Sequence, residues 1–217
     1  MEQLIQTITD YLISQFTGLD FWGIIQIAGL ILSFVYLILE FEQKAAMWIV
    51  CAISSVIYAC VYFNSKIYAD MGFSCFNIIL CIYGFYKWYK HSNKNGVQKE
   101  ESEHITYTHF TLPQFTKTSI VSIAIWAVIY LILEYLTDSP VPVLDAFTTT
   151  VNIVGTWVLA QKIIEVWGYW FVVNAVSIYI YCKRGLHFST ILLYIFYLIA
   201  SVYGYIRWRT KGINATE

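Results

Sequence analysis

Five residues of one apolar segment, Trp167, Trp170, Asn174, Ser177 and Tyr181, follow one another at intervals of three or four. On an α-helix that spacing puts all five on one face. Two indoles, an amide and two hydroxyls can stack on a flat ring and hydrogen-bond its polar edge. Plainer readings stand beside this one. Trp167 follows Glu165 and would serve as an anchor at a membrane surface. Asn174 would join helices, because an amide in hydrocarbon must find a partner. A second stripe holds Asp145, Thr148 or Thr149, Asn152 and Thr156, and a third holds Asp70, Ser74, Asn77, Cys81 and Gly84. For each single Ser or Thr, close helix packing is the competing explanation. The candidate substrate-binding residues are Trp48, Asn77, Thr148, Asn152, Trp167, Trp170 and Asn174.

Other chemistry finds no support in the residue pattern. His91, His104, His109 and His187 show no metal-ligand spacing, and the five cysteines form no CxxC pair. There is no nucleophile with a base, no phosphate-cradling glycine loop and no carboxylate pair. The expectation is a protein that is not an enzyme, with no metal and no cofactor. A net charge of −1 argues against a nucleic-acid platform.

The elements that carry these stripes follow from composition. The chain of 217 residues is 59% hydrophobic and 12% charged, against about 45–50% apolar and about 25% charged in soluble domains. Seven windows approach the roughly 20 apolar residues that a membrane span needs. They lie at 22–39, 47–63, 71–88, 118–136, 146–161, 166–182 and 188–206. Ahead of them, Leu4, Ile5, Ile8, Leu12 and Phe16 recur at helical spacing, as in an amphipathic helix lying on a membrane. Residues 91–104 have no apolar period and read as a flexible loop.

Two segments end alike: Tyr83-Gly84-Phe85-Tyr86-Lys87-Trp88 and Tyr203-Gly204-Tyr205-Ile206-Arg207-Trp208. Trp48, Cys51, Ser55, Tyr58 and Tyr62 match Trp167, Trp170, Asn174, Ser177 and Tyr181 at an offset of 119. The pattern predicts two three-helix units flanking one unpaired helix. An odd connecting helix makes the repeats parallel, so the fold class expected is an all-α membrane protein with seven transmembrane helices in a 3+1+3 parallel-repeat arrangement. Its parts are an amphipathic segment (1–20), a first repeat (21–90), a polar loop with connecting helix 4 (91–144), a second repeat (145–210) and a cytoplasmic tail (211–217). With the N-terminus outside, ten Lys and Arg fall on the inner side and three on the outer, which favours a cytoplasmic C-terminus.

The string Trp167-Gly168-Tyr169-Trp170-Phe171-Val172-Val173-Asn174, or WxxWxxxN, resembles the signature of the bacterial Pnu vitamin transporters. With the run DAFTTTVNIVGTWVLAQKIIEVW and the YGxxxW endings, residues 20–210 resemble the PnuC branch. That resemblance implies facilitated diffusion of nicotinamide riboside across a bacterial inner (plasma) membrane, trapping by a cytoplasmic kinase, and assembly as a homotrimer amid lipid. The motif is degenerate in the first repeat, as Trp48, Cys51 and Ser55. Thiamine or another aromatic vitamin is an alternative substrate, and a non-transporting membrane receptor is an alternative role.

Overall fold

In the computed structural model the described residues are 21–64, 68–94, 105–137, 139–183 and 188–214. The amphipathic segment expected before residue 21 lies outside them, as do residues 95–104 and the side chains of Asp70 and Tyr181. The described residues form seven helices and two short strands: α1 (Phe21–Phe41), α2 (Ala46–Asn64), α3 (Tyr68–Lys94), β1 (Ile105–Tyr107), α4 (Leu112–Leu136), α5 (Pro142–Ala160), α6 (Val166–Lys183), α7 (Phe188–Lys211) and β2 (Gly212–Asn214). By length and composition α4, α5 and Ile191–Lys211 of α7 can cross a membrane. Shorter apolar stretches occupy Ile31–Phe41, Ala46–Val61 and Val166–Ile180. Along α4 the side chains of Ile123, Val128, Leu131 and Leu136 are exposed, a surface that suits hydrocarbon and not water. The chain is an all-α membrane protein.

The helix ends differ from the sequence reading for local reasons. α3 continues to Lys94, so its last turn takes residues assigned to the polar loop. α4 starts at Leu112 and not at 118, because Thr111 and Gln114 form a capping box with Pro113 in the first turn. Gln114 N donates to Thr111 Oγ1 at 3.4 Å, and Thr111 N donates to Gln114 Oε1 at 3.2 Å. These two bonds satisfy donors that a helix start otherwise leaves bare.

The chain divides into two compact units, one reaching to Glu40 and resuming at Lys44–Ile82, the other made of Phe41–Gln43 and Tyr83–Glu217. Inside the first, the Tyr58 ring lies against Gly29, joining α1 to α2. Inside the second, α4 packs on α5, α5 on α6 and α6 on α7. Among the described residues, only Gln43 (φ 53°) and Lys162 (φ 60°) of the non-glycines adopt a left-handed backbone, and they stand 119 positions apart. The backbone bonds around them match at the same offset. Lys44 N donates to Leu39 O as Ile163 N does to Val158 O, and Trp48 N donates to Ala45 O as Trp167 N does to Ile164 O. The α1–α2 and α5–α6 loops therefore have one geometry, which is structural support for the duplication.

Within the second unit, β1 threads between those loops. The Gln43 amide brackets Thr106, with Nε2 donating to Thr106 O at 2.7 Å and Oε1 accepting from Thr106 N at 3.0 Å. Thr108 N donates to Lys162 O and Ile164 N to Thr108 O, both at 3.0 Å. Lys162 Nζ reaches Thr106 Oγ1 at 3.2 Å and sits 5.1 Å from the centre of the Trp88 ring. On its other edge β1 pairs in parallel with β2, Ile105 opposite Gly212 and Tyr107 opposite Asn214. This small sheet was not expected from the sequence.

The YGxx(K/R)W endings meet the same loops. Trp88 Nε1 donates to Ala160 O at 3.1 Å, and Gln161 Nε2 donates to Tyr83 Oη at 3.2 Å. Arg207 pairs with Glu42 and donates to Tyr203 Oη at 3.3 Å. Trp208 stands edge-on to Trp167 at 5.4 Å, and Phe41 lies 5.7 Å from the same ring.

Candidate functional site

The candidate site is built on α5 and α6, which the five residues 161–165 join. So short a connection makes the two helices antiparallel neighbours. Their crossing is set by Gly155 and Trp170: a Cβ at Gly155 would stand 2.8 Å from Trp170 Cζ3 and 2.9 Å from Cη2. The indole therefore rests directly on the α5 backbone. Asn174 lies one turn beyond Trp170 on α6, and Asn152 lies one turn before Gly155 on α5. Antiparallel helices bring those two turns to the same level, so a ring and two amides gather at one station of the pair.

Both amides are half-buried. Neither side chain has a hydrogen-bond partner among the described residues, since Asn152 contributes only its backbone oxygen, to Thr156 Oγ1 at 2.8 Å. An amide placed to glue helices would have such a partner. Thr148, one turn before Asn152, donates its hydroxyl to Asp145 O at 3.1 Å and keeps acceptor capacity on the oxygen. Ser177 is buried.

Trp167 sits apart from this group. It is 1% exposed, held by Phe41 and Trp208, and its ring lies on Gly204, where a Cβ would meet Cζ3 at 2.3 Å. Its Nε1 is buried without a hydrogen-bond partner among the described residues. The two residues of the first unit are placed differently again. Trp48 is 1% exposed at the start of α2. Asn77 donates from Nδ2 to Ser55 Oγ at 2.9 Å and to Cys51 Sγ at 3.5 Å, linking α3 to α2. Its donor is thus engaged by the protein, unlike those of Asn152 and Asn174.

Sequence reasoning did not single out Gly155. A glycine one turn along a polar stripe, facing a helix that carries WxxW, was the available signal, but its partner ring is fixed only by the loop geometry. Lys162 is one of the ten basic residues placed on the inner side of the membrane. Burial holds its ammonium below the usual lysine range. Among the described residues, no group of His, Cys, Asp and Glu is arranged to hold a metal ion.

Residues 23–210 match a family model described as nicotinamide mononucleotide transporter. A protein named nicotinamide riboside transporter PnuC, from Neisseria mucosa, is 29% identical over 176 residues, which cover 77% of this chain and 65% of the relative. The chain thus spans just under two thirds of that relative's length. A solved structure described as the vitamin B3 transporter PnuC superposes with a TM-score of 0.64 at 24% identity, covering 87% of each chain, and supports the seven-helix fold.

Proposed function

The chain belongs to the nicotinamide mononucleotide transporter family, and from that premise we propose that it carries nicotinamide riboside across the membrane by facilitated diffusion. The observation that carries this reading is the pair of amides, Asn152 and Asn174, whose side chains have no hydrogen-bond partner among the described residues, at the level of the Trp170 ring seated on Gly155. Nicotinamide riboside joins a flat cationic pyridinium to a carboxamide and a sugar. An indole face attracts such a ring by stacking and cation–π contact worth about 0.5–2 kcal/mol. The two amides offer donors and acceptors to the carboxamide or the ribose hydroxyls. Thr148 adds an acceptor on the same helix as Asn152.

The family's description names the mononucleotide, whereas the relative's name gives the riboside. Charge favours the riboside. α5 contains no Lys, Arg or His, α6 has none before Lys183, and α7 has none before Arg207. A phosphate would bring about −1.5 to −2 charges into that interior with no cation to meet them.

No catalytic step is part of this reading. Net uptake then needs a sink, and phosphorylation of the riboside by a cytoplasmic kinase supplies one by making a product the carrier rejects. The excess of Lys and Arg on one side of the spans supports an N-terminus outside and a cytoplasmic C-terminus in a bacterial inner membrane. The family resemblance implies a trimer. The test is counterflow of labelled substrate in proteoliposomes, with nicotinamide riboside, its mononucleotide, thiamine and riboflavin as competitors. Nicotinamide riboside should exchange and the mononucleotide should not compete. Exchange of thiamine alone would transfer the site to another vitamin, and exchange of none would leave a receptor.

A further inference from the structure

A methyl group at Gly155 would stand 2.8 Å from Trp170 Cζ3, 2.9 Å from Cη2 and 3.5 Å from Cε3. Carbon atoms prefer separations of about 3.5–4.0 Å, so no side chain fits there while the indole keeps its place. The two atoms inside that limit are both at the far end of the Trp170 side chain, and neither is backbone. A substitution at Gly155 therefore presses first on the Trp170 ring and not on the backbone of α6. Gly204 is the contrasting case. There a methyl would meet the Trp167 ring, which is 1% exposed and packed against Phe41 and Trp208.

The first repeat carries the two residue sizes exchanged at the matching positions. At the offset of 119 fixed by Gln43 and Lys162, Gly155 corresponds to Tyr36 and Trp170 to Cys51. Tyr36 lies within electrostatic reach of Cys51. One aromatic and one small residue stand at the matched positions each time. Only in the second repeat does the ring come from the helix that carries an asparagine one turn on, and that arrangement requires glycine at 155.

We propose that Gly155 is a positioning residue for the substrate: its lack of a side chain sets the plane of the Trp170 ring and thereby the register of a stacked pyridinium with Asn152 and Asn174. This rests on the transport reading above. The full-length protein in detergent, as wild type, Gly155→Ala, Trp170→Phe and the double variant, is titrated with nicotinamide riboside up to millimolar concentration, and thermal midpoints are read on the same samples. Gly155→Ala should weaken binding about tenfold, equivalent to about 1.4 kcal/mol, with a midpoint close to wild type. The penalty should vanish in the Trp170→Phe background, because phenylalanine lacks the two atoms nearest the added methyl. Unchanged affinity in Gly155→Ala, or a penalty just as large beside Trp170→Phe, overturns the proposal. Where Trp170→Phe alone binds too weakly to titrate, the single variant decides: a fall in midpoint without a fall in affinity overturns it, and the reverse supports it. A wild type that binds nothing removes the transport reading itself and this proposal with it, whereas a wild type that binds leaves the outcome to the variants.

Discussion

Three asparagines on three helices have different surroundings, and this difference separates packing from recognition. Asn77 donates to Ser55 Oγ at 2.9 Å across α2 and α3. Such a bond is worth about 0.5–1.5 kcal/mol, and interhelical bonds measured in a bilayer average about 0.6 kcal/mol. Asn77→Leu should therefore lower the thermal midpoint by a few degrees and affect substrate affinity less. Asn174, with no protein partner among the described residues, should behave in the opposite way. Losing a hydrogen bond to a bound ligand costs about 1–3 kcal/mol, roughly a tenfold to hundredfold loss of affinity. Asn174→Leu should show that loss, and Trp170→Ala a similar one, with the midpoint nearly unchanged. Titration and thermal unfolding on the same samples check the pair. A lowered midpoint with intact binding in Asn174→Leu would make it a packing residue after all.

At the scale of elements, the strand that ties two loops is the least expected feature and the most exposed to test. Gln43→Ala removes three bonds to Thr106, at 2.7, 3.0 and 3.5 Å, and should lower the midpoint by several degrees while leaving purified protein able to bind substrate. Equal midpoints for the variant and wild type would show that the Gln43–Thr106 bonds contribute no stability. Lys162 adds a dependence on pH. Its ammonium is held low by burial, so the unfolded chain binds that proton more tightly than the folded one. The charge costs stability at neutral pH, and the cost fades as pH rises toward the unfolded lysine value of about 10.4. The midpoint should climb with pH just below that value, with a flatter profile in Lys162→Met; identical profiles would assign the slope to other groups. None of this was legible beforehand. Helices announce themselves by long apolar runs, but a three-residue strand has no period, and left-handed turns made with Gln and Lys lack the glycine or asparagine that usually marks them. The YGxx(K/R)W endings were visible, although the loops that receive Tyr83, Trp88 and Trp208 were not. Trp167 illustrates the limit most clearly: the helical spacing that unites it with Trp170 is real, yet Gly204 draws one ring into the core and Gly155 seats the other beside the amides.

For the molecule as a whole, the disposition of charge decides how transport is driven. Ionisable side chains fall at helix ends: Asp145 in the first turn of α5, where Ser139 Oγ donates to it at 2.5 Å, and Glu40 in the last turn of α1, 2% exposed. A carrier coupled to protons or sodium usually places an ionisable group at mid-span. Collapsing either gradient should thus leave the initial flux of nicotinamide riboside unchanged, and Glu40→Gln should keep the same indifference to external pH. Membrane potential is another matter, because the proposed substrate carries one positive charge and no counter-ion accompanies it. Moving one charge through 100 mV is worth about 2.3 kcal/mol, and about 1.4 kcal/mol corresponds to tenfold in an equilibrium ratio. An inside-negative potential of that size should therefore hold the substrate some fortyfold more concentrated inside the vesicle at equilibrium. With no imposed potential the ratio should settle near one. Potassium-filled proteoliposomes with valinomycin set the potential while pH and sodium are held equal on both sides. A ratio that stays near one at 100 mV would mean that the charge is compensated, and a ratio that follows an imposed pH difference instead would point to Glu40 or Asp145 as a proton carrier and end the uncoupled reading.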